Sequence, residues 1–150
     1  MLWYLVILAF VPFLTQMQGE LMCASGEEPF LQLTVVGCDE FPCNVYVGER
    51  AAMEIIFRAP RDIQSFSPRA LAFILNIPIP YELPYETRDG CSHLLDGECP
   101  IPQGTVVRHI LYMDVSPHYP GAQNLLVDIS LHDENDVAIG CTRVTLHVIR

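Results

Sequence analysis

A chain of 150 residues with 8 basic and 18 acidic side chains has a formal net charge of −10, and every basic residue is an arginine. That balance argues against nucleic acid and other polyanionic partners, which are held by clustered Lys and Arg, and it disfavours strongly anionic lipids. Apolar residues make up 51% of the chain, enough for one domain to bury well over half of its unfolded surface, and there is no repeat, low-complexity tract or linker.

The first element in chain order is MLWYLVILAFVPFL (1–14), which carries no charge. It is short for a bilayer span, which takes about 18 or more apolar residues. It suits the apolar region of a secretory signal peptide covering 1–19, with Gly19 the best cleavage candidate. The alternative is an anchored or buried terminal helix. A single domain then runs over 20–150, as a secreted chain. Six cysteines follow the leader: Cys23, Cys38, Cys43, Cys91, Cys99 and Cys141. An even count in a small secreted chain is a disulfide framework, and the absence of CxxC argues against zinc ribbons and thioredoxin-type redox chemistry. Sequence proximity pairs Cys38 with Cys43 and Cys91 with Cys99, which leaves Cys23 with Cys141.

Strands are predicted over 29–36, 43–47, 50–58, 69–77 and 105–115. Two more follow: Leu125, Val127, Ile129 and Leu131 alternate with polar neighbours, and Val144, Leu146 and Val148 alternate with Arg143, Thr145 and His147. Such period-two patterns describe strands with one buried and one wet face. DEND (133–136) reads as a hairpin turn between them. The expected fold is all-β, an immunoglobulin-like sandwich of about seven antiparallel strands.

The segment IPIPYELPYE (77–86) is too apolar for an ordinary surface loop, and its prolines bar it from a central strand. In an extended backbone Leu71, Phe73, Leu75, Ile77, Ile79 and Tyr81 would share one face. The stripe would then run past the end of its ladder, either as the rim of an apolar pocket or as a loop packed over the end of the core.

Other constellations carry little chemistry. His93, His109, His118, His132 and His147 form neither HxxxH nor HExxH, and no cysteine is left for a Cys–His pair. They are expected at the surface, with a pH-sensing role the alternative. DEND lacks the spacing and glycine of an EF-hand loop. No enzyme activity, metal or cofactor is expected.

Several fragments in order resemble the ML (MD-2-related lipid-recognition) domain, in its Niemann-Pick type C-2 branch: GCDEFPCNVYVGE (37–49), IPIPY (77–81), DGC (89–91), CPIPQG (99–104), HYP (118–120) and the late Cys141. The resemblance spans Cys23 to the last strand. It implies the same three cysteine pairs and an apolar cavity between two sheets. It also implies a sterol carrier, of the archetype's lysosomal-lumen kind, that passes its ligand to a membrane or membrane protein. Its sterol-lining positions fall on Tyr81, where the archetype has phenylalanine, Val115 and Tyr119. Leu75, Ile79 and Ile101 join them as expected lipid contacts; for Leu75 and Ile101 ordinary core is the equal alternative. The pattern departs at Val107, His109, Ile129 and Thr142, where aromatics are common in the family. Fatty acids, other small apolar compounds or microbial lipids are the alternative ligands, and a monomeric adhesion or receptor module with a filled core is the alternative of another class. No N-x-[ST] sequon is present, so glycan-dependent lysosomal sorting has no support.

Overall fold

The computed structural model describes residues 22–150. The expected leader lies outside the described residues. Among the described residues nine strands form two sheets. In chain order they are β1 (Gln32–Val35), β2 (Cys43–Tyr46), β3 (Arg50–Arg58), β4 (Phe66–Ile74), β5 (Ile77–Tyr81), β6 (Leu94–Asp96), β7 (Val106–Asp114), β8 (Ala122–Asp133) and β9 (Ala138–Ile149). The four-stranded sheet has the order β1-β3-β7-β6 and the five-stranded sheet β2-β9-β8-β4-β5. No helix among the described residues is long and apolar enough to cross a membrane.

Alternation sets which face each strand buries. On β3 Met53, Ile55 and Phe57 turn inward, and on β7 Val107, His109, Leu111 and Met113 do so. They face Val127, Ile129 and Leu131 of β8 and Val144, Leu146 and Val148 of β9. Leu126, out of phase in the sequence, pairs with Phe73 and lies on the outer face. One pairing departs from the antiparallel expectation: β2 runs parallel to β9, with Cys43 beside Leu146.

The proline segment resolves differently from the extended stripe. Leu75 and Asn76 have φ of 50° and 63°, and the chain reverses through this two-residue turn. β5 folds back on β4, pairing Ile74 with Ile77, Ala72 with Ile79 and Ala70 with Tyr81. Ile77, Ile79 and Tyr81 therefore share the inner face with Ala70, Ala72 and Ile74. Leu71 and Phe73 share the outer face with Pro80 and Pro78. The six odd-numbered residues do not share a face, because a two-residue turn resets the alternation. β5 is an edge strand, and its prolines alternate with the residues that bond to β4. Their missing amides cost the ladder nothing.

The cysteines pair as Cys23–Cys141, Cys38–Cys43 and Cys91–Cys99. DEND forms the β8–β9 turn. There Asp133 Oδ1 accepts from the amides of Asn135 and Val137 at 2.9 and 3.0 Å, and Oδ2 from Arg61 Nε at 2.5 Å. One half of the sandwich is filled. Phe30, Phe57, Phe66 and His109 make a chain of ring contacts with centroid separations of 6.5, 5.5 and 5.2 Å. His109 is fully buried, against the expectation of a surface histidine, because it occupies an inward position of β7.

Candidate functional site: an apolar pocket between the sheets

The other half of the sandwich is hollow. A pocket of about 530 Å³ lies between the sheets, and its walls come from both: Met53 and Met113 on one side, Val127, Leu146 and Val148 on the other. The contrast with the filled half is one of side-chain size. Where the aromatic chain closes the first half, the inward residues here include Ala51 on β3, Ala72 on β4 and Ala122 on β8. Small residues on facing strands leave a gap that sheets packed about 10 Å apart otherwise fill. An unfilled apolar gap lowers stability, because its lining loses contacts.

Five of the six expected lipid-contact residues line this pocket: Leu75, Ile79, Tyr81, Val115 and Tyr119. Ile79 and Tyr81 are brought in by the β4–β5 hairpin. Val115 is fixed by the β2–β3 turn, donating its amide to Glu49 O at 2.9 Å and accepting from Gly48 N at 2.6 Å. Tyr119 stands in a turn closed by its amide on Ser116 O at 3.1 Å. Leu75, at the hairpin tip, is 90% exposed and stands at the mouth. Ile101 is elsewhere. It is fully buried in the filled half and bridges to Ile63, exchanging backbone bonds of 2.7 and 2.9 Å. CPIPQG and IPIPY are both proline-flanked apolar runs, so pattern alone does not separate a pocket wall from a core plug. Ala72, Val127, Leu146 and Asp114 also line the pocket, beyond the six expected contacts. The signal available for Val127 and Leu146 is their place in the alternation; for Ala72 there is only its small size.

The polar groups of the lining gather at its mouth. Tyr81 Oη donates to the backbone carbonyl of Asp114 at 2.6 Å, tying β5 of one sheet to the end of β7 of the other. Arg50 grips the Asp114 carboxylate twice, Nε to Oδ1 at 2.6 Å and Nη2 to Oδ2 at 3.1 Å, and reaches Glu86 Oε1 at 2.9 Å. Partial burial, with Tyr119 and Asp114 nearby, pushes the Tyr81 phenol up to about 12, so it stays a neutral donor. The Arg50 hydrogen bond holds Asp114 below the usual carboxylate range.

A second hollow, of about 780 Å³, lies on the outer face of the five-stranded sheet among Leu71, Phe73, Pro78, Arg88 and Asp128. It is larger, yet it lies on one outer sheet face rather than between apolar walls, and charged groups share its lining. Within it Ser130 Oγ lies 3.0 Å from His132 Nε2, and His132 Nδ1 lies 4.0 Å from Asp136 Oδ1. The order is that of a nucleophile, base and orienting acid. However, the His–Asp separation exceeds a hydrogen bond, Asp136 is engaged by Arg69, and Ser130 sits in a central strand paired on both sides, where ladder bonding leaves no amide pair for an oxyanion. Cys23, Asp128 and Cys141 lie close together, but both sulfurs are spent in a disulfide and Asp128 is bound by Arg143 at 2.6 Å.

A two-sheet sandwich, filled at one end and hollow at the other, cross-linked by three disulfides, is a lipid-binding fold. The chain belongs to the ML domain family, whose profile matches residues 21–148. It is 20% identical over 127 residues to the zebrafish (Danio rerio) NPC intracellular cholesterol transporter 2, covering 85% of this chain and 82% of that protein. The fold superposes on the Niemann-Pick type C2 protein from Japanese carpenter ant with a TM-score of 0.71 at 19% identity, over 85% of this chain and 96% of the other. Chicken MD-1 complexed with lipid IVa is more distant, with a TM-score of 0.52 at 11% identity over 83% of each chain.

Proposed function

We propose that the protein holds a single apolar lipid between its sheets, a sterol first among the candidates, and hands it to a membrane or membrane protein. It does so without catalysis. The observation that carries this reading is the hollow built from Ala51, Ala72 and Ala122 on facing strands. Its volume falls within the range of about 300–1,000 Å³ typical of small-ligand sites. A lipid that fills it regains about 0.8 kcal/mol for each CH₂ removed from water. The zebrafish relative is by name a cholesterol transporter, which supports a sterol. Three disulfides and the expected leader over 1–19 support work in an oxidising compartment, outside the cell or in the lysosomal lumen.

Hand-over has a surface to work with. Ile74, Leu75, Ile77 and Ile79 of the β4–β5 hairpin are all exposed beside the mouth. A cluster of exposed apolar side chains marks a contact surface. A membrane touching this hairpin would meet the pocket's opening at the same time. Fatty acids, other small apolar compounds and microbial lipids are the alternative cargoes, the last supported by the likeness to MD-1 with lipid IVa.

Delipidated protein titrated with radiolabelled cholesterol and radiolabelled hexadecanoate tests the reading. Saturable binding of one lipid per chain, lost in Ala72→Phe while the circular dichroism spectrum is kept, supports the carrier. Absence of binding by either lipid, or full binding in Ala72→Phe, would return the chain to the class of adhesion modules.

A further inference from the structure

Resting on the carrier reading above, we infer that the mouth selects the ligand's head group. Tyr81, Asp114 and Arg50 admit a lipid that ends in a neutral hydroxyl and turn away one that ends in a carboxylate, sulfate or phosphate. The deep walls of the pocket are apolar, so the apolar end of a ligand goes in first. The polar residues that line it, Tyr81, Tyr119, Asp114, Gln123 and Asn124, are all exposed or half-buried. The head group therefore comes to rest among them.

The charges there are unfavourable to an anion. Among the described residues, none that lines the pocket is an arginine, lysine or histidine. The Arg50 guanidinium, bound to the lining residue Asp114, is shared between the carboxylates of Asp114 and Glu86, which leaves that cluster with one negative charge in excess. An anionic head group would give up water, find no cation in the lining and face a like charge. The whole chain, at −10, repels it further on approach. Other basic groups approach from outside the lining: the Arg143 guanidinium lies 4.6 Å from the Phe73 ring centroid but is bound by Asp128, His147 Nδ1 accepts the Asn124 amide at 3.1 Å, and the Arg150 side chain passes near Gly121.

A hydroxyl meets the opposite conditions. Tyr81 Oη spends its proton on the Asp114 carbonyl, and a phenol oxygen keeps lone pairs that accept from a ligand O–H. Pairing through it contributes roughly a three- to tenfold gain in affinity, the range of one ordinary hydrogen bond.

The experiment uses two matched pairs on delipidated protein, hexadecan-1-ol against hexadecanoate and cholesterol against cholesterol sulfate, at pH 7.5. Each neutral lipid is expected to bind at least about tenfold more tightly than its anionic partner, in whichever pair the pocket accepts. Asp114→Asn and Glu86→Gln each remove one carboxylate from Arg50 and narrow that ratio by about two- to fivefold. Tyr81→Phe weakens the neutral lipid and leaves the anion where it was. Arg150→Gln changes neither. The selector is overturned, with the carrier intact, by three results: an anion that binds as tightly as its neutral partner, a ratio unmoved in Asp114→Asn, or anion binding that collapses in Arg150→Gln. If none of the four lipids binds saturably, the carrier reading itself fails and the selector falls with it.

Discussion

Acidification should loosen this protein through one buried ring. His109 lies inward on β7, edge-on to Phe66 at 5.2 Å, and both of its ring nitrogens are buried without a hydrogen-bond partner. Burial, together with His93 nearby, lowers its pKa from 6.5 to about 4. The unfolded chain therefore takes up a proton between about pH 6.5 and pH 4 that the native protein refuses. Stability from this group is complete above 6.5 and is lost as pH falls to about 4. The gap of about 2.5 pH units corresponds to about 3 kcal/mol, at about 1.4 kcal/mol per unit. His132, whose pKa burial also lowers, adds to the same slope. The carboxylates whose pKa values are held low, Asp114, Glu86 and Asp133, add theirs only at more acidic pH. Urea unfolding at pH 7.5, 6.5, 5.5 and 4.5 measures the effect on the natural protein, His109→Phe and His109→Leu. The natural protein should lose most of about 3 kcal/mol across the series, and both variants much less. Equal losses in all three proteins would refute the reasoning.

Gly90 packs so closely on Phe66 that a Cβ there would lie 2.2 Å from the ring, so Gly90→Ala should cost about 2–3 kcal/mol or more in chemical denaturation. Leu75 holds a left-handed φ of 50° in the β4–β5 turn, a conformation asparagine tolerates better than leucine. Leu75→Asn should raise stability by about 0.5–1 kcal/mol while slowing lipid transfer to vesicles, since it removes the most exposed apolar side chain at the mouth. Cys23–Cys141 closes a loop of 118 residues, and the double replacement by serine should cost about 5 kcal/mol in thermal or urea unfolding, as chain entropy predicts.

Much of the fold is legible because alternation and cysteine spacing are local signals. Val144, Leu146 and Val148 declare their face without any knowledge of partners. Sheet order is not local, and nothing in CNVY announces that β2 runs parallel to β9. The β4–β5 reversal is hidden for a specific reason. Leu-Asn is not a usual pair for a two-residue turn, which favours Asn-Gly or Gly, so an apolar run reads straight through it. The pocket is legible only in part. Its rim stands out through prolines and tyrosines, whereas its volume comes from three alanines that look unremarkable one at a time and matter only once strands from two sheets face each other. His109 is the reverse case: its polar identity suggests the surface, and its inward register on β7 decides otherwise.

Uptake of a lipid into the gap between the sheets is the decisive property of this protein. Native mass spectrometry of protein purified without detergent, before and after delipidation and reloading, measures this directly. The expected spectrum shows one lipid mass per chain, removable and restored by cholesterol or hexadecan-1-ol, and missing from Ala72→Phe. A natural protein that appears only at its bare polypeptide mass, and stays there when offered those lipids, would contradict it.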